Sequence, residues 1–302
     1  MTVRFLGTSL RRLRARSGGD GGGPVYPLDG VTTPTYAFST RQLSASSPAT
    51  CMTVRESGGN TSLAIGYSGG WLNTTALLAH TGANSGFVTD WNNQGSVGSV
   101  ATQATQTNQP RIVNAGSVDA IGTSVRPAPF NDGGDVLSMA SQALANIAAS
   151  GTDITVAMVW RRQTSGGNGG AFGWGNSNTN RLTVTDPDTG LGNVFFDCGN
   201  DSTARFTASW ASDGGGTVPF TIQRTFRRSG TTMEIRRNAG AASNSGTRSG
   251  ALSGGPLELQ IMRDQFNGSI TTGFLAEIVI WNTGSVTGLA TFEANQMTAF
   301  GV

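Results

Sequence analysis

Glycine clusters cut this chain of 302 residues into short segments, and no other feature limits its fold as strongly. Glycine accounts for 44 residues, about twice the share found in ordinary proteins. The clusters at 166–170, 213–216 and 254–256 supply positive φ angles and chain reversals at low steric cost. Short strands joined by tight turns are the structure that such spacing favours.

Between the glycine clusters, apolar and polar side chains alternate with a period of two residues. Side chains in such a segment point to opposite faces of a sheet, so one row is predicted to face the core. The segments are Ile154 to Trp160; Phe220, Ile222, Arg224 and Phe226; Met233 and Ile235; Leu257, Leu259 and Ile261; and Ala276, Ile278 and Ile280. We therefore predict an all-β chain, an antiparallel sandwich or jelly roll.

Two stretches have helical spacing instead. Residues 72–80 place Leu77 and Leu78 on one side, and residues 137–149 place four apolar side chains on one side. Each stretch is predicted to form a short helix. No run of eighteen apolar residues occurs, so no membrane-spanning segment is expected.

The composition excludes several kinds of chemistry. All 20 residues counted as lysine or arginine are arginine, so lysine nucleophiles and phosphate-binding lysines are absent. A single histidine, His80, excludes histidine-rich metal sites, and its place near the end of a short helix predicts a hydrogen bond to a backbone carbonyl. The two cysteines, Cys51 and Cys198, are predicted to be free thiols.

The positive charge is concentrated at the start of the chain. Residues 1–30 contain five arginines and two aspartates. A glycine-rich stretch at 17–24 separates the five arginines from the rest of the chain. We predict a basic arm with a hinge over residues 1–30, followed by one domain over residues 31–302. The arm residues expected to dock on another protein are Arg4, Phe5, Leu10, Arg11, Arg12, Leu13, Arg14 and Arg16. A disordered tail and nucleic-acid contact are the alternatives, the latter disfavoured because the body is nearly neutral.

Motifs in the first half of the chain follow a recognisable order. They are STRQL at 39–43, VRESGGNT at 54–61, NTTALL at 73–78, GFVTDWNNQG at 86–95, ATQA at 101–104 and QPRIVNAG at 109–116. In this order they resemble a module common in predicted bacteriophage tail and virion proteins. That module is similar to the catalytic domain of fungal α-L-arabinofuranosidases of the B type.

The second half resembles the concanavalin-A and laminin-G superfamily of jelly rolls. The resemblance rests on a strand ending in Val159-Trp160-Arg161, an FGWG turn at 172–175, a strand at 273–281 and a closing helix at 289–300. Together the halves imply one continuous concanavalin-A-like antiparallel β-sandwich with a few short helices and an extended N-terminal arm.

The resemblance also bears on whether this chain has the residues of a glycosidase active site. Retaining glycosidases use two carboxylates about 5 Å apart. The similarity implies that Asp197 matches the aspartate that precedes the family's nucleophile, that Gly199 replaces the nucleophile, and that Asp264 matches the acid/base; Asn93 replaces a further aspartate. The chain is therefore predicted not to be an enzyme, with a rewired pair of Asp197 and Asp264 as the alternative.

Sugar binding is the expected task of the body. Flat indole rings suit sugar surfaces, and Trp71 and Trp174 lie beside glycines, whereas Trp160 and Trp281 lie on strands and are expected in the core. Trp71, Trp174, Asp197 and Asp264 are the glycan-binding candidates. No cofactor or metal is expected, with Ca²⁺ at the acidic clusters 131–135 or 186–188 as the exception to test.

These observations predict a bacteriophage virion surface protein of the tail-fibre or receptor-binding type. The arm would contact other virion proteins, and the body would bind host cell-surface polysaccharide. A capsid decoration or head-fibre protein is the first alternative, and a glycoside hydrolase is the second. The resemblance further implies a homo-oligomer, such as a trimer, made in the host cytoplasm and carried on the particle.

Overall fold

The computed structural model describes residues 24–139, 153–163, 168–177, 180–188, 193–199, 205–209, 219–247, 250, 259–264, 269–270 and 272–302. All the structural statements below refer to these residues. The predicted arm residues, from Arg4 to Arg16, lie outside them, so the docking role of the arm stays a prediction.

The first half of the chain is made of short strands around one helix. The strands are β1 Tyr36–Ser39, β2 Thr50–Glu56, β3 Ser62–Ser68, β4 Trp71–Leu72, β5 Gly86–Asn92, β6 Val100–Thr102, β7 Arg111–Asn114, β8 Ser117–Val118, β9 Ala120–Ile121, β10 Arg126–Pro127, β11 Phe130–Asn131 and β12 Leu137–Met139. Helix α1, Thr74–Thr81, follows β4, and a single 3-10 turn covers Gln106–Asn108.

The second half has longer strands and ends in a helix. The strands are β13 Ile154–Arg162, β14 Asn168–Ser177, β15 Asn180–Asp188, β16 Asn193–Gly199, β17 Arg205–Ser209, β18 Phe220–Ser229, β19 Thr232–Arg237, β20 Ala242–Thr247, β21 Leu259–Ile261, β22 Arg263–Asp264, β23 Ser269–Ile270 and β24 Gly273–Trp281. Helix α2 covers Leu289–Phe300, as predicted.

The strands form two layers, and every described strand pair is antiparallel. One layer has the order β20-β19-β18-β13-β24-β1. The other has the order β17-β16-β15-β14-β21-β12-β6-β5-β2-β3. Strands β11 and β7 connect β24 to β5 and so join the layers at one side. The predicted all-β sandwich is confirmed.

The main core lies between the two layers. Val156, Met158 and Trp160 of β13 belong to the same apolar cluster as Leu182 and Phe196 of the opposite layer. Burial of each such side chain contributes roughly 1.5–3 kcal/mol. Both Cys51 and Cys198 are buried free thiols, as predicted. Burial raises the pKa of the Cys198 thiol to about 11.

Helix α2 covers the outer face of the first layer. Its Phe292 ring meets Trp281 edge to face, with ring centroids 5.5 Å apart. Trp281 is therefore buried as predicted, but below the helix and not between the sheets. The turn at Gly122, with φ of +70°, supports the end of α2, and a Cβ there would collide with the Phe300 carbonyl oxygen. Glycine is required at this position by both the backbone angle and the contact.

A polar network also fixes α2 to the sheet. Glu277 of β24 is fully buried and forms a two-pronged ion pair with Arg41, at 2.7 Å and 2.9 Å. Ser39 Oγ donates a 2.6 Å hydrogen bond to Glu277, and Gln296 of α2 donates one of 3.0 Å. Gln296 in turn accepts a 3.1 Å hydrogen bond from Gln223. The buried charge of Glu277 is thereby paired and hydrogen-bonded, as a buried charge must be.

Three sequence expectations are corrected at the level of elements. Ala276 does not share a face with Ile278 and Ile280, because the register between β13 and β24 shifts at Val159 and Trp160. Residues 137–139 form strand β12 instead of the start of a helix, and residues 140–149 lie outside the described chain. Helix α1 begins at Thr74, since Trp71 and Leu72 pair with β3. Neither described helix is long and apolar enough to cross a bilayer.

Candidate functional site

An open cavity of about 460 Å³ lies beside Trp71 of β4. This volume falls within the range of about 300–1,000 Å³ that is usual for small-molecule sites. Its walls come from the β3–β4 turn, the start of α1 and the segment before Pro127. The polar groups that line it belong to Ser68, Trp71, Asn73, Thr74, Thr75 and Arg126.

Local sequence explains the shape of the cavity. Gly69 and Gly70 both have positive φ angles, which allow the tight turn between β3 and β4. Asn73 then caps α1, because its side-chain oxygen accepts the amide of Ala76 at 3.1 Å. Trp71 therefore lies on a short strand at the rim and not in a free loop.

The Trp71 ring is held between two partners. The guanidinium carbon of Arg126 lies 4.0 Å from its centroid, a cation–π geometry. The Phe300 ring meets it edge on, with centroids 5.5 Å apart at 85°. Because Arg126 covers one face of the indole, Trp71 positions that guanidinium beside the cavity. Stacking of a sugar on Trp71 remains a prediction, limited to whatever face Arg126 and Phe300 leave uncovered.

Arg126 lacks the carboxylate partner that several other arginines have. Within the described part of the chain, five arginines have carboxylate partners: Arg41 with Glu277, Arg111 with Asp119, Arg181 with Asp197, Arg227 with Glu234 and Arg236 with Glu293. No described carboxylate lies within ion-pair distance of Arg126, whose Nε donates a 3.2 Å hydrogen bond to the Ala299 carbonyl. The sequence gives no sign of this residue's role, because the segment around it has no regular period.

The predicted carboxylates lie in the second layer. Asp197 of β16 is 1% exposed and pairs with Arg181 at 2.8 Å, while Thr183 Oγ1 donates a 3.3 Å hydrogen bond to it. Asp197 alternates along β16 with Phe196 and Cys198, which face the core. It therefore lies on the face of the sheet opposite the core.

Asp264 and Trp174 lie on strands near Asp197. Strand β22, which carries Asp264, lies against β14 and β15, and β15 pairs with β16. Trp174 lies within strand β14, where its backbone pairs with Leu182 of β15. The prediction of a turn at FGWG is therefore wrong. The side chains of Trp174 and Asp264 lie outside the described part of the structure. None of these strands contributes to the cavity beside Trp71.

In the acidic cluster at 131–135, side-chain oxygens accept hydrogen bonds from backbone amides of the same segment. Asn131 Oδ1 accepts the amides of Gly133 and Asp135, and Asp135 Oδ2 accepts the amide of Asp132. Burial raises the pKa of Asp135 to about 7, and the charge of Asp132 adds to this effect. Among the described residues no three acidic, histidine or cysteine side chains gather around a metal position. Binding of Ca²⁺ stays a prediction, as it does for 186–188, whose side chains are not described.

Two further sequence candidates have contacts within the fold. His80 Nε2 lies 3.0 Å from the carbonyl oxygen of Val54, consistent with the predicted backbone contact. Asn93 Oδ1 accepts the amides of Ala37 and Gly95 at 2.7 Å and 2.8 Å. Asn93 therefore links the segment after β5 to strand β1.

No protein-family model and no curated protein matches the chain. Several solved structures, in contrast, are similar to it. An arabinofuranosidase complexed with arabinofuranosyl-α-1,2-xylobiose matches 92% of this chain with a TM-score of 0.66 and 15% identity. GH54 α-L-arabinofuranosidase structures soaked with 4-nitrophenyl α-L-arabinofuranoside or with a cyclic sulfate inhibitor match the same share, with TM-scores of 0.67 and identities of 14% and 13%.

The fold is that of α-L-arabinofuranosidases. This confirms the fold part of the resemblance seen in the sequence. The chain spans 65% of the length of those structures. The prediction that the chain is not an enzyme is wrong, because it relied on motif differences, whereas the structures that match nearly the whole chain are those of glycoside hydrolases.

Proposed function

We propose that this chain acts on carbohydrate as a glycoside hydrolase, with Asp197 and Asp264 as its carboxylate pair. The observation that carries the proposal is their placement on either side of β15 in an arabinofuranosidase fold, since β15 pairs with β16 and lies against β22. Two carboxylates flanking one glycosidic bond are the usual requirement of glycoside hydrolysis.

The contacts of Asp197 favour the charged role in this pair. Arg181 and Thr183 hold its carboxylate in one position, which a nucleophile or a general base requires. Asp264 would then act as the general acid, giving its proton to the oxygen of the leaving sugar. A separation of about 5 Å would lead to retention at the anomeric carbon, and about 6.5–9.5 Å would lead to inversion.

The test is hydrolysis of a panel of 4-nitrophenyl glycosides and bacterial polysaccharides. We expect Asp264→Asn to lower the rate by about 10²- to 10⁴-fold, the usual contribution of a general acid. Asp119→Asn, which changes a carboxylate in a partly exposed ion pair with Arg111, is the matched control and should keep full activity. NMR of the first-formed anomer gives the stereochemical outcome.

Two results would overturn this assignment. One is a wild-type chain that cleaves no member of the panel. The other is an active chain that Asp264→Asn and Asp197→Asn leave unchanged. Because Asp197→Asn leaves Arg181 without its ion-pair partner, circular dichroism must first show that this variant is folded.

The setting we propose is the surface of a bacteriophage particle, with a host cell-surface polysaccharide as the substrate. Support comes from the order of motifs between residues 39 and 116. The basic arm would anchor the chain to other virion proteins, and the chain would form a homo-oligomer. A head-fibre or capsid decoration role remains the alternative. Immunogold labelling of purified particles distinguishes tail from capsid, and unlabelled particles would contradict both.

A further inference from the structure

We infer that the cavity beside Trp71 binds the carboxylate of an acidic sugar, such as a uronic acid unit of a polysaccharide. The inference goes beyond the proposed hydrolysis, because none of the strands that carry Asp197 and Asp264 lines this cavity. It assigns a second site of carbohydrate recognition, between the end of β3, helix α1 and the segment before Pro127.

The first argument is the charge of Arg126. Its guanidinium borders the cavity, and none of the described carboxylates neutralises it. One edge of the group is engaged, since Nε donates to the carbonyl oxygen of Ala299. The two Nη atoms remain to donate a pair of hydrogen bonds, and a carboxylate matches that planar geometry.

The second argument is the fixed position of that guanidinium. The Trp71 ring lies under it at 4.0 Å, and the Phe300 ring supports Trp71 from the side. A stacked arginine loses less conformational freedom when it binds a ligand than a free one does. The site is therefore organised before any ligand arrives.

The third argument is the chemistry of the opposite wall. Helix α1 begins at the cavity, and the amides of Thr74 and Thr75 in its first turn have no partner within the helix. The positive end of the helix dipole adds to the charge of Arg126. The hydroxyls of Ser68, Thr74 and Thr75 supply partners for sugar hydroxyls.

The charge of Arg126 together with the hydroxyls of the cavity favours a sugar over an acidic peptide as the ligand. A peptide side chain would need the charge of Arg126 alone, whereas a hydroxylated ring also uses the three hydroxyls around it. The fold favours the sugar as well, because it is shared with structures that hold a xylobiose derivative or an arabinofuranoside. An acidic peptide is therefore kept as an outcome of the test.

The test compares acidic sugars with their neutral counterparts. D-glucuronate, D-galacturonate and D-mannuronate differ from glucose, galactose and mannose by one carboxylate. In NMR titrations of the full chain, we expect at least one acid to bind about tenfold tighter or more than its neutral counterpart, the usual effect of a charge-assisted pair. Raising the salt concentration should weaken binding of the acid and leave that of the neutral sugar unchanged.

A matched pair of variants locates the site. Arg126→Gln should abolish the preference for the acid. Arg161→Gln, which changes another arginine lying over an aromatic ring, 5.6 Å from the centroid of Phe274, should keep it. The inference fails if no acid is preferred, if Arg126→Gln leaves the preference intact, or if a tetraglutamate peptide binds Arg126 as tightly as the best acid. Hydrolysis at Asp197 and Asp264 is measured separately, so either proposal can fail without the other.

Discussion

Arg41 and Arg126 each lie over one ring of the same aromatic pair, yet they have different surroundings. Arg41 lies over Phe300 at 5.3 Å, and Arg126 lies over Trp71 at 4.0 Å, while the two rings touch. Arg41 is buried and paired with Glu277. Arg126 borders a cavity and has no carboxylate among the described residues.

The difference teaches how one residue type serves two purposes. A buried arginine must be neutralised within the fold, because an unpaired buried charge costs several kcal/mol. Arg41, just after β1, meets this requirement with Glu277 of β24, and it also donates a hydrogen bond to Asn295 of α2. Arg126 keeps access to water and needs no partner for folding, so its charge remains for a ligand.

The largest effect is expected from breaking the Arg41 pair. Arg41→Gln removes the positive partner of the buried Glu277 carboxylate and leaves only its neutral donors Ser39 and Gln296, which should lower the free energy of unfolding by about 3–5 kcal/mol. Arg126→Gln removes one cation–π contact and should cost about 0.5–1 kcal/mol. Urea denaturation of both variants checks this. Equal losses would show that the contrast between the two arginines is wrong.

A smaller effect is expected at the turn that packs against Phe300. Gly122→Ala places a side chain at φ of +70° and against the Phe300 carbonyl oxygen, which should cost about 1–3 kcal/mol. Gly69→Ala is the control, because its φ is also positive but no atom lies within 4 Å of the added Cβ. Thermal denaturation compares them. If Gly69→Ala destabilises as much, the contact with Phe300 contributes nothing.

The smallest effect concerns Asp135, a buried carboxyl with no arginine in an ion pair with it among the described residues. Asp135 has a pKa raised to about 7 by burial, so the folded chain favours its protonated form. Its contribution to stability is full below about pH 4 and is lost as the pH rises through about 7. Asp135→Asn should therefore stabilise the chain at pH 8 relative to wild type, by about 1–2 kcal/mol, and change little at pH 4.

Urea denaturation at the two pH values measures this difference. The asparagine can still accept the amide of Asp132, so the turn should be preserved. Asp119→Asn serves as the comparison, because Asp119 is paired with Arg111 near the surface. A stability gain from Asp135→Asn that is the same at both pH values would exclude titration as its cause.

Local pattern was sufficient for much of the architecture. Alternation over 154–160 and 220–226 correctly predicts β13 and β18, because a half-buried strand must place its apolar residues on one face. The resemblance correctly places α2 at 289–300. The same reasoning fails at Ala276, where a register shift moves one residue to the other face of the sheet.

The candidate sites were less accessible from sequence. Asp197, Asp264 and Trp71 were identified as candidates, but nothing in the local pattern distinguishes Arg126 from the other arginines. Its role depends on Trp71, Phe300 and α1, which are distant from it in the chain. The pairing of Arg41 with Glu277, 236 positions apart, is equally invisible to any local pattern.

The sequence by itself therefore determined the class of fold and many of its elements, because turns, strand alternation and helical spacing are local properties of the backbone. Only the tertiary structure decided which charges are neutralised within the fold and which remain for a ligand. Neutralisation requires a carboxylate within about 4 Å. For Arg41 that distance is set by the pairing of β1 with β24, which places Ser39 opposite Glu277, whereas Arg126 lies against the Ala299 carbonyl of α2.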